Sequence, residues 1–161
     1  MLRGGVFVRV LVIADVHGNS RALCRAIEEQ PSARTVIFLG DGLRQAEDAE
    51  KRYTDRTFYM VPGNCDLCTE LPPSREETIG GKRFYFTHGH KQDVKYGLYR
   101  LYAAARQAQA DIALFGHTHQ PYTAYEEGVH LLNPGSLGYN GTYAWVDITA
   151  NGVLTNIVPL R

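Results

Sequence analysis

The chain has 161 residues, of which 44% are hydrophobic and 21% charged, and these values fit one globular domain spanning residues 1–161. Lysine plus arginine and aspartate plus glutamate number 17 each, so no overall charge would hold the chain on nucleic acid or on an anionic membrane. Any attraction for an anionic ligand must therefore be local.

The N-terminal apolar segment is interrupted by Arg9 and runs directly into Asp15 and His17. This pattern predicts a first strand rather than a signal peptide. Apolar runs elsewhere are far shorter than the roughly 20 residues needed to span a bilayer. The 3 cysteines are too few for a disulfide framework, and the single C-x-x-C of Cys65 and Cys68 leads into prolines instead of opening a helix. These features predict a cytoplasmic protein without membrane association.

The first half of the chain alternates predicted strands and helices. Apolar runs predict strands at 6–14, 35–39 and 57–61. Helical spacing of apolar residues predicts a helix at 20–29, behind a serine cap, and a second helix at 43–52. This order implies a parallel sheet with right-handed crossovers.

The second half has the pattern of antiparallel strands. Segments 78–79 and 82–87 flank two glycines as in a hairpin, and one helix is predicted at 97–108. Further short strands are predicted at 112–115, 122–126, 129–133, 143–148 and 153–158. The two halves together predict an α/β fold in which two sheets pack face to face, with three or four helices outside.

A polar cluster follows each of five predicted strands. The carboxyl ends of strands line the crevice where ligands bind in open α/β sheets, so these clusters are expected to converge. Five of the 6 histidines lie in them, whereas His130 is interpreted as a strand residue without a role. Glycines in the clusters are expected where the backbone turns sharply or approaches a shared centre. The clusters are Asp15-Val16-His17, Gly40-Asp41-Gly42, Gly63-Asn64-Cys65-Asp66, His88-Gly89-His90 and Gly116-His117-Thr118-His119.

These clusters predict a site for two divalent metal ions. Carboxylate, amide and imidazole ligands together suit manganese, iron, zinc, cobalt or nickel better than calcium. If Asp41 bridges, one ion is completed by Asp15, His17 and His119, and the other by Asn64, His88 and His117. Two ions roughly 4 Å apart lower the pKa of a bridging water and stabilise in-line attack by the resulting hydroxide on phosphorus. Such a centre keeps a net positive charge, which supplies the local attraction for a phosphate ester.

Each motif taken alone has an ordinary structural interpretation. A single D-x-H, GD or GN is commonly turn chemistry. Their joint occurrence, in order and each after an apolar strand, favours the metal site. Between His88 and His90 the former is the favoured ligand, because it directly follows a strand that fixes its backbone.

The motifs resemble those of the calcineurin-like metallophosphoesterase superfamily, in particular its small prokaryotic branch of YfcE-like phosphodiesterases. The resemblance spans essentially the whole chain, and residues 133–136 resemble the closing loop of the family. It implies a four-layer α/β/β/α sandwich of two mixed sheets with outer helices. It also implies a bridging role for Asp41 and metal ligation by His88, with His90 either supporting the metal ligands from behind or facing the phosphate.

One residue departs from the pattern of many superfamily members. Those members have a histidine after the GN, which is thought to protonate the leaving oxygen, whereas this chain has Cys65. A thiol is a poorer general acid than an imidazole near neutral pH. Cysteine at this position nevertheless resembles the small prokaryotic branch, where it accompanies phosphodiesterase activity on activated esters. Candidate catalytic residues are Asn64, Asp66 and His90, and candidate substrate contacts are Asn64, His90 and His117.

The sequence thus predicts a phosphodiesterase for small phosphate esters, with manganese as the favoured ion. A noncatalytic metal-binding scaffold, like the retromer subunit that this branch also resembles, stays open as an alternative. A phosphomonoesterase or cyclic-nucleotide phosphodiesterase is the second alternative. Segments 68–77 and 96–102 are candidate substrate walls. Arg44, Lys91 and Lys95 are possible phosphate contacts, and Tyr96, Tyr99 and Tyr102 a possible homodimer face.

Overall fold

The computed structural model describes residues 6–161. A 3-10 turn spans His90–Gln92. In chain order the elements are β1 (Val6–Ile13), α1 (Ser20–Glu29), β2 (Thr35–Phe38), α2 (Leu43–Arg52), β3 (Thr57–Met60), β4 (Ser74–Ile79), β5 (Lys82–Thr87), α3 (Tyr99–Gln107), β6 (Ile112–Leu114), β7 (Tyr122–Glu126), β8 (Val129–Asn133), α4 (Leu137–Asn140), β9 (Thr142–Thr149) and β10 (Gly152–Pro159).

The strands form two mixed sheets of five strands each. The first sheet has the order β10-β9-β1-β2-β3, in which β1, β2 and β3 are parallel and β9 and β10 antiparallel. The second has the order β4-β5-β6-β8-β7, in which β5, β6 and β8 are parallel and the two edge strands antiparallel. The two predicted sheets are confirmed, but their division between the halves of the chain is corrected. The second half contains the parallel pairs β5–β6 and β6–β8, and its last two strands, β9 and β10, join the sheet of the first half.

Three apolar layers separate four layers of secondary structure. Successive strand residues point to opposite faces, so Leu11 and Ile13 of β1 pack on α1 and α2, while Val10 and Val12 pack against the second sheet. On the far face of the second sheet, Leu101 of α3 is buried with residues of β5, β6 and β8. The α/β/β/α sandwich is therefore present.

Two local predictions need correction. Asn19, not a serine, caps α1, because its Oδ1 accepts a hydrogen bond from the N–H of Ala22 at 3.1 Å. The candidate wall at 68–77 is partly strand, since β4 begins at Ser74. This strand lies at a sheet edge, where Arg75 and Glu77 stay accessible and form an ion pair, and its polar side chains hid it from the apolar pattern.

The parallel registers bring the ends of the central strands level. Ile13 of β1 lies beside Phe38 of β2, which lies beside Met60 of β3. In the second sheet Phe86 of β5 lies beside Leu114 of β6. The segments that follow these five residues therefore leave the sheets at one edge of the sandwich. In residues 6–161 no helix is long and apolar enough to cross a membrane.

Candidate metal centre

The polar residues at this edge have an unusual backbone conformation. Five of the predicted ligands have positive φ angles, a region that costs a non-glycine residue about 1–2 kcal/mol. Such conformations persist where the surrounding structure holds them, and they concentrate at functional sites. The five are Asp15 (55°), His17 (47°), Asp41 (59°), His117 (71°) and His119 (62°).

Two glycines let the loops after β2 and β3 approach each other closely. Gly40 has a φ of 98°, and a Cβ atom on it would overlap the backbone of Gly63. A Cβ atom on Gly63 would in turn overlap the carboxylate of Asp41. The sequence interpretation of these glycines as points of close approach is confirmed here, because no larger residue fits without moving backbone.

A first group of side chains surrounds the carboxylate of Asp15. Its Oδ1 lies 3.4 Å from Nε2 of His119 and 3.7 Å from Nε2 of His17, and the two imidazole nitrogens are 3.3 Å apart. The other oxygen, Oδ2, accepts the backbone N–H of His117 at 3.0 Å. The structure thus brings together Asp15, His17 and His119, whose ligating atoms converge within 4.8 Å of one another.

A second group surrounds Asp41. Its Oδ2 lies 3.4 Å from Nε2 of His88 and 3.8 Å from Nε2 of His17, so this carboxylate stands between the two groups of histidines. Nε2 of His88 is also 3.0 Å from Oδ1 of Asn64. On its other side Nδ1 of His88 lies 2.7 Å from the carbonyl oxygen of Leu39. This contact fixes the ring and directs Nε2 into the cluster.

His117 and His90 complete the second side of the cluster. The His117 ring lies 5.0 Å from that of His88, and the His90 ring lies 5.4 Å from His88 and 6.1 Å from His117. Burial and the charge of His88 lower the pKa of His117 to about 4. The same causes, with Lys91, lower the pKa of His90. Both rings are therefore neutral at neutral pH.

The two central carboxylates titrate in opposite directions. Asp15 is fully buried, and burial raises its pKa despite the nearby histidines. Burial also acts to raise the pKa of Asp41, but the hydrogen bond and charge of His88 outweigh it and hold this pKa well below its usual range. Burial acts to lower the pKa of His88, and the two carboxylates reverse this and raise it. The carboxylate of Asp41 and the imidazole of His88 thus stabilise each other's charged form.

Cys65 lies at the edge of the cluster. Its backbone N–H donates to Oδ1 of Asp41 at 2.8 Å, and its Sγ lies within 4.8 Å of ligating atoms of His17 and Asp41. Burial and the charge of Asp41 raise the pKa of the thiol. The Cys65 side chain is therefore close to the centre, and it holds its proton at neutral pH.

Asp66 faces backbone, not the centre of the cluster. Its carboxylate accepts four backbone N–H groups, from Asp41 at 2.7 Å, Gly63 at 2.8 Å, Leu43 at 3.0 Å and Gly42 at 3.1 Å. These bonds join the loops after β2 and β3. Asp66 is also one of the predicted catalytic residues, and in this geometry its carboxylate holds the backbone around Asp41.

Residues from the end of β8 to α4 hold the cluster in place. Asn133 donates to the carbonyl oxygen of Gly116 at 3.1 Å, and Ser136 donates to the carbonyl oxygen of Asp15 at 2.8 Å. The Tyr139 ring stacks on His17 at 4.6 Å, and Asn140 donates to the carbonyl oxygen of His119 at 2.7 Å. Sequence reasoning missed Tyr139 and Asn140. A serine cap followed by Asn140-Gly141 was the available signal for this short helix.

One buried atom tests whether a metal ion fits. Oδ1 of Asp15 has no hydrogen-bond partner although it is buried, and a bare buried carboxylate oxygen is strongly destabilising. It faces imidazole nitrogens of His17, His88 and His119 at 3.4–3.8 Å. Divalent cations are ligated by such an oxygen and nitrogen set, so the residues present fit a metal centre.

The comparison with known protein families decides the assignment. Residues 8–151 match the model of the calcineurin-like phosphoesterase superfamily domain. The chain belongs to this family. Its relatives include the protein named Probable metallophosphoesterase YsnB of Bacillus subtilis, which is 28% identical over 81% of this chain and 75% of its own length. Phosphodiesterase YfcE of Escherichia coli is 27% identical, over 93% of this chain and 91% of its own.

Two further proteins are similar to the chain. Vacuolar protein sorting-associated protein 29 of Schizosaccharomyces pombe is 30% identical over 79% of this chain and 71% of its own. Among solved structures, a conserved uncharacterized protein of Streptococcus pneumoniae, described as a predicted phosphoesterase, superposes with a TM-score of 0.82. It is 25% identical and covers 94% of this chain and 89% of its own. The calcineurin-like phosphoesterases are metal-dependent phosphoric ester hydrolases, which agrees with the donor set found here.

Proposed function

We propose that this calcineurin-like phosphoesterase hydrolyses phosphodiesters at a centre of two divalent metal ions, with manganese as the favoured ion. The observation that carries the proposal is the buried, unpartnered Oδ1 of Asp15 among three imidazole nitrogens, beside a second carboxylate that stands between two groups of histidines. The proposal treats residues 1–161 as one catalytic domain. Cytoplasmic location and homodimer formation stay predictions.

We assign the ligands of the two ions from this geometry. Asp15, His17 and His119 form one set and Asn64, His88 and His117 the other, with Asp41 shared. The position of Asp41 Oδ2, 3.8 Å from His17 and 3.4 Å from His88, supports its bridging role. Asp15 also lies 3.8 Å from His88, but its closer contact is with His119, which favours the first set.

Two divalent ions bound there would supply a hydroxide nucleophile and neutralise charge on the phosphoryl oxygens during in-line attack. The chain itself contributes neutral donors next to the ions. We assign Asn64, His117 and His90 to the phosphate-facing side. The His90 ring lies 6.1 Å from that of His117 and 5.4 Å from that of His88, which supports its place on this side.

Leaving groups that need no proton are the substrates that this centre suits best. Asp66 is engaged by four backbone N–H groups, and the pKa of Cys65 is raised, so neither side chain supplies an efficient general acid. His90 has a lowered pKa and is neutral, so it does not supply an acidic proton at neutral pH either. We therefore expect nitrophenyl esters to react faster than alkyl esters.

A noncatalytic scaffold is the second candidate function. The observation that favours it is the 30% identity to a protein named for vacuolar sorting. The full set of oxygen and nitrogen donors is the observation that favours catalysis over a scaffold. A protein that binds metal but hydrolyses no ester in a broad panel would support the scaffold. The rates measured in the same panel show whether the protein prefers linear diesters, monoesters or cyclic nucleotides.

The direct test uses bis(p-nitrophenyl) phosphate with the purified, manganese-loaded chain. We expect release of nitrophenolate by the wild-type protein and none by Asp41→Ala, because the shared carboxylate is lost. Asp48→Ala is the matched control, since Asp48 is 74% exposed on α2 and away from the cluster. Activity retained in Asp41→Ala would contradict the proposed mechanism.

A further inference from the structure

A groove runs beside the metal centre on the side of α3. It has a volume of about 460 Å³, within the range of small-ligand sites. Phe115 and Tyr122 contact each other edge to face in its wall, with ring centroids 6.2 Å apart. Its lining is mainly apolar, with a few polar groups: Val94, Lys95, Leu98, Phe115, Thr118, Gln120, Pro121 and Tyr122.

The groove adjoins the phosphate-facing residues. Thr118 forms part of its wall and lies between His117 and His119 in the loop after β6. This loop is held in place by Asn133, whose Nδ2 donates to Oγ1 of Thr118 at 3.0 Å. Lys95 lines the groove, and its charge acts on His117. A ligand whose phosphate lies at the metal centre can therefore extend into the groove.

We propose that this groove binds a planar ring on the ester group that stays attached to phosphorus, so that the preferred substrates are phosphodiesters with a ring-bearing second ester. The inference rests on the proposed phosphodiesterase function. A monoester has no second ester group and would leave the groove unused. The ring can come from an aryl ester or from a nucleoside.

The chemistry of the lining favours a ring over a charged or small group. Tyr122 is 38% exposed and presents an aromatic face, and Leu98 and Pro121 add apolar surface. Aromatic rings stack and pack on such surfaces with a defined geometry. Lys95 is the one cation in the lining and suits the phosphoryl oxygen or the electron-rich face of a ring.

Three diesters with the same p-nitrophenolate leaving group test the proposal. Their second ester is methyl, p-nitrophenyl or a nucleoside 5′-ester, so only the retained group changes. We expect the ring-bearing substrates to exceed the methyl ester in kcat/KM by about tenfold or more, a normal selectivity for an apolar pocket. A preference for one ring-bearing diester over the other identifies whether the ring is an aryl group or a nucleobase.

Variants locate this selectivity in the groove. Tyr122→Ala removes the aromatic wall, and Gln120→Trp fills the groove from an exposed loop position. Both are expected to lower the ratio of ring-bearing to methyl substrate by about tenfold, with methyl ester hydrolysis retained. Tyr125→Ala is the matched control, because Tyr125 is 65% exposed on the same strand but outside the groove, and it should leave the ratio unchanged.

The outcomes separate this inference from the function on which it rests. Equal rates for the three substrates, or variants that leave the ratio unchanged, would overturn the ring-binding groove and leave the phosphodiesterase intact. Failure of the manganese-loaded protein to hydrolyse any of the three would overturn the phosphodiesterase, and the groove inference with it.

Discussion

The residues of the metal centre are held in conformations that the chain adopts only at a cost. Positive φ angles at Asp15, His17 and Asp41 are fixed by backbone bonds from neighbouring loops, such as the 2.9 Å bond from Asp15 N–H to the carbonyl oxygen of Gly40. The same loops leave Oδ1 of Asp15 buried without a partner. A bound cation compensates such a carboxylate, so metal binding and local stability are coupled at this residue.

The ring of His88 makes metal binding dependent on pH. Leu39 and Asn64 place oxygen atoms beside its two nitrogens, at 2.7 and 3.0 Å, and the neighbouring carboxylates raise its pKa. The metal-free ring therefore keeps its second proton to a higher pH than an ordinary histidine, and this proton must leave before Nε2 can bind an ion. We predict that manganese affinity rises with pH through the raised pKa of His88 and then levels off.

Calorimetric titration with manganese measures this linkage. In buffers of different ionisation enthalpy the observed heat should change, because metal binding displaces the second proton of His88. The affinity should decrease as the pH falls through the raised pKa of His88, which lies above the ordinary histidine value of 6.5. An affinity that is constant from about pH 6 to about pH 8 would contradict protonation of His88 in the metal-free protein.

The carboxylate of Asp66 is predicted to position Asp41 and not to donate a proton to the leaving group. In Asp66→Asn an amide N–H₂ replaces one acceptor oxygen, so backbone N–H groups near Asp41 lose their partner, at about 1–3 kcal/mol. We expect weaker manganese binding and a lower kcat, by a similar factor for nitrophenyl and for alkyl leaving groups. Kinetics on a series of diesters of graded leaving-group pKa measure this.

A general acid would behave differently at that position. Its loss would slow the alkyl esters selectively and leave the nitrophenyl esters nearly unchanged. That result would show that Asp66 acts as a general acid and would contradict the positioning role. Asp48→Asn on the exposed face of α2 controls for the charge change.

The elements differ in how far the sequence predicts them. β7 and β8 have the predicted bounds, Tyr122–Glu126 and Val129–Asn133, because their alternation and the Glu127-Gly128 turn are strong local signals. β4 extends to Ser74, which was predicted as loop, since an exposed edge strand needs no apolar face. The short helix α4 depends on contacts with residues distant in sequence, and local patterns do not contain these.

Ser136 connects α4 to the metal centre. Its Oγ donates to the carbonyl oxygen of Asp15 at 2.8 Å and accepts the N–H of Tyr139 at 3.1 Å. We predict that Ser136→Ala lowers the free energy of unfolding by about 0.5–2 kcal/mol, because α4 loses its cap and the carbonyl oxygen of Asp15 keeps only the N–H of Gly138 as a donor. Urea unfolding followed by circular dichroism measures the loss. Ser32→Ala, at an exposed position after α1, should change stability little; equal stability of the two variants would show that Ser136 has no supporting role.

At the scale of the whole molecule, the sequence predicted which residues converge but not how. The ends of β1, β2, β3, β5 and β6 meet because parallel strands carry their carboxyl ends to one edge, and this rule follows from strand order. The pairing of β9 with β1 across the chain required tertiary structure. The orientation of Asp66 toward backbone was likewise invisible, since a GNCD motif does not distinguish a carboxylate that faces substrate from one that faces N–H groups.

The proposed hydrolysis depends on two metal ions that share Asp41 as a ligand. Stepwise addition of manganese to the metal-free protein, with the initial rate of bis(p-nitrophenyl) phosphate hydrolysis as readout, tests it most directly. We predict no activity without metal and a plateau at two equivalents of manganese per chain. Activity in the metal-free protein, or a plateau at one equivalent, would contradict the account.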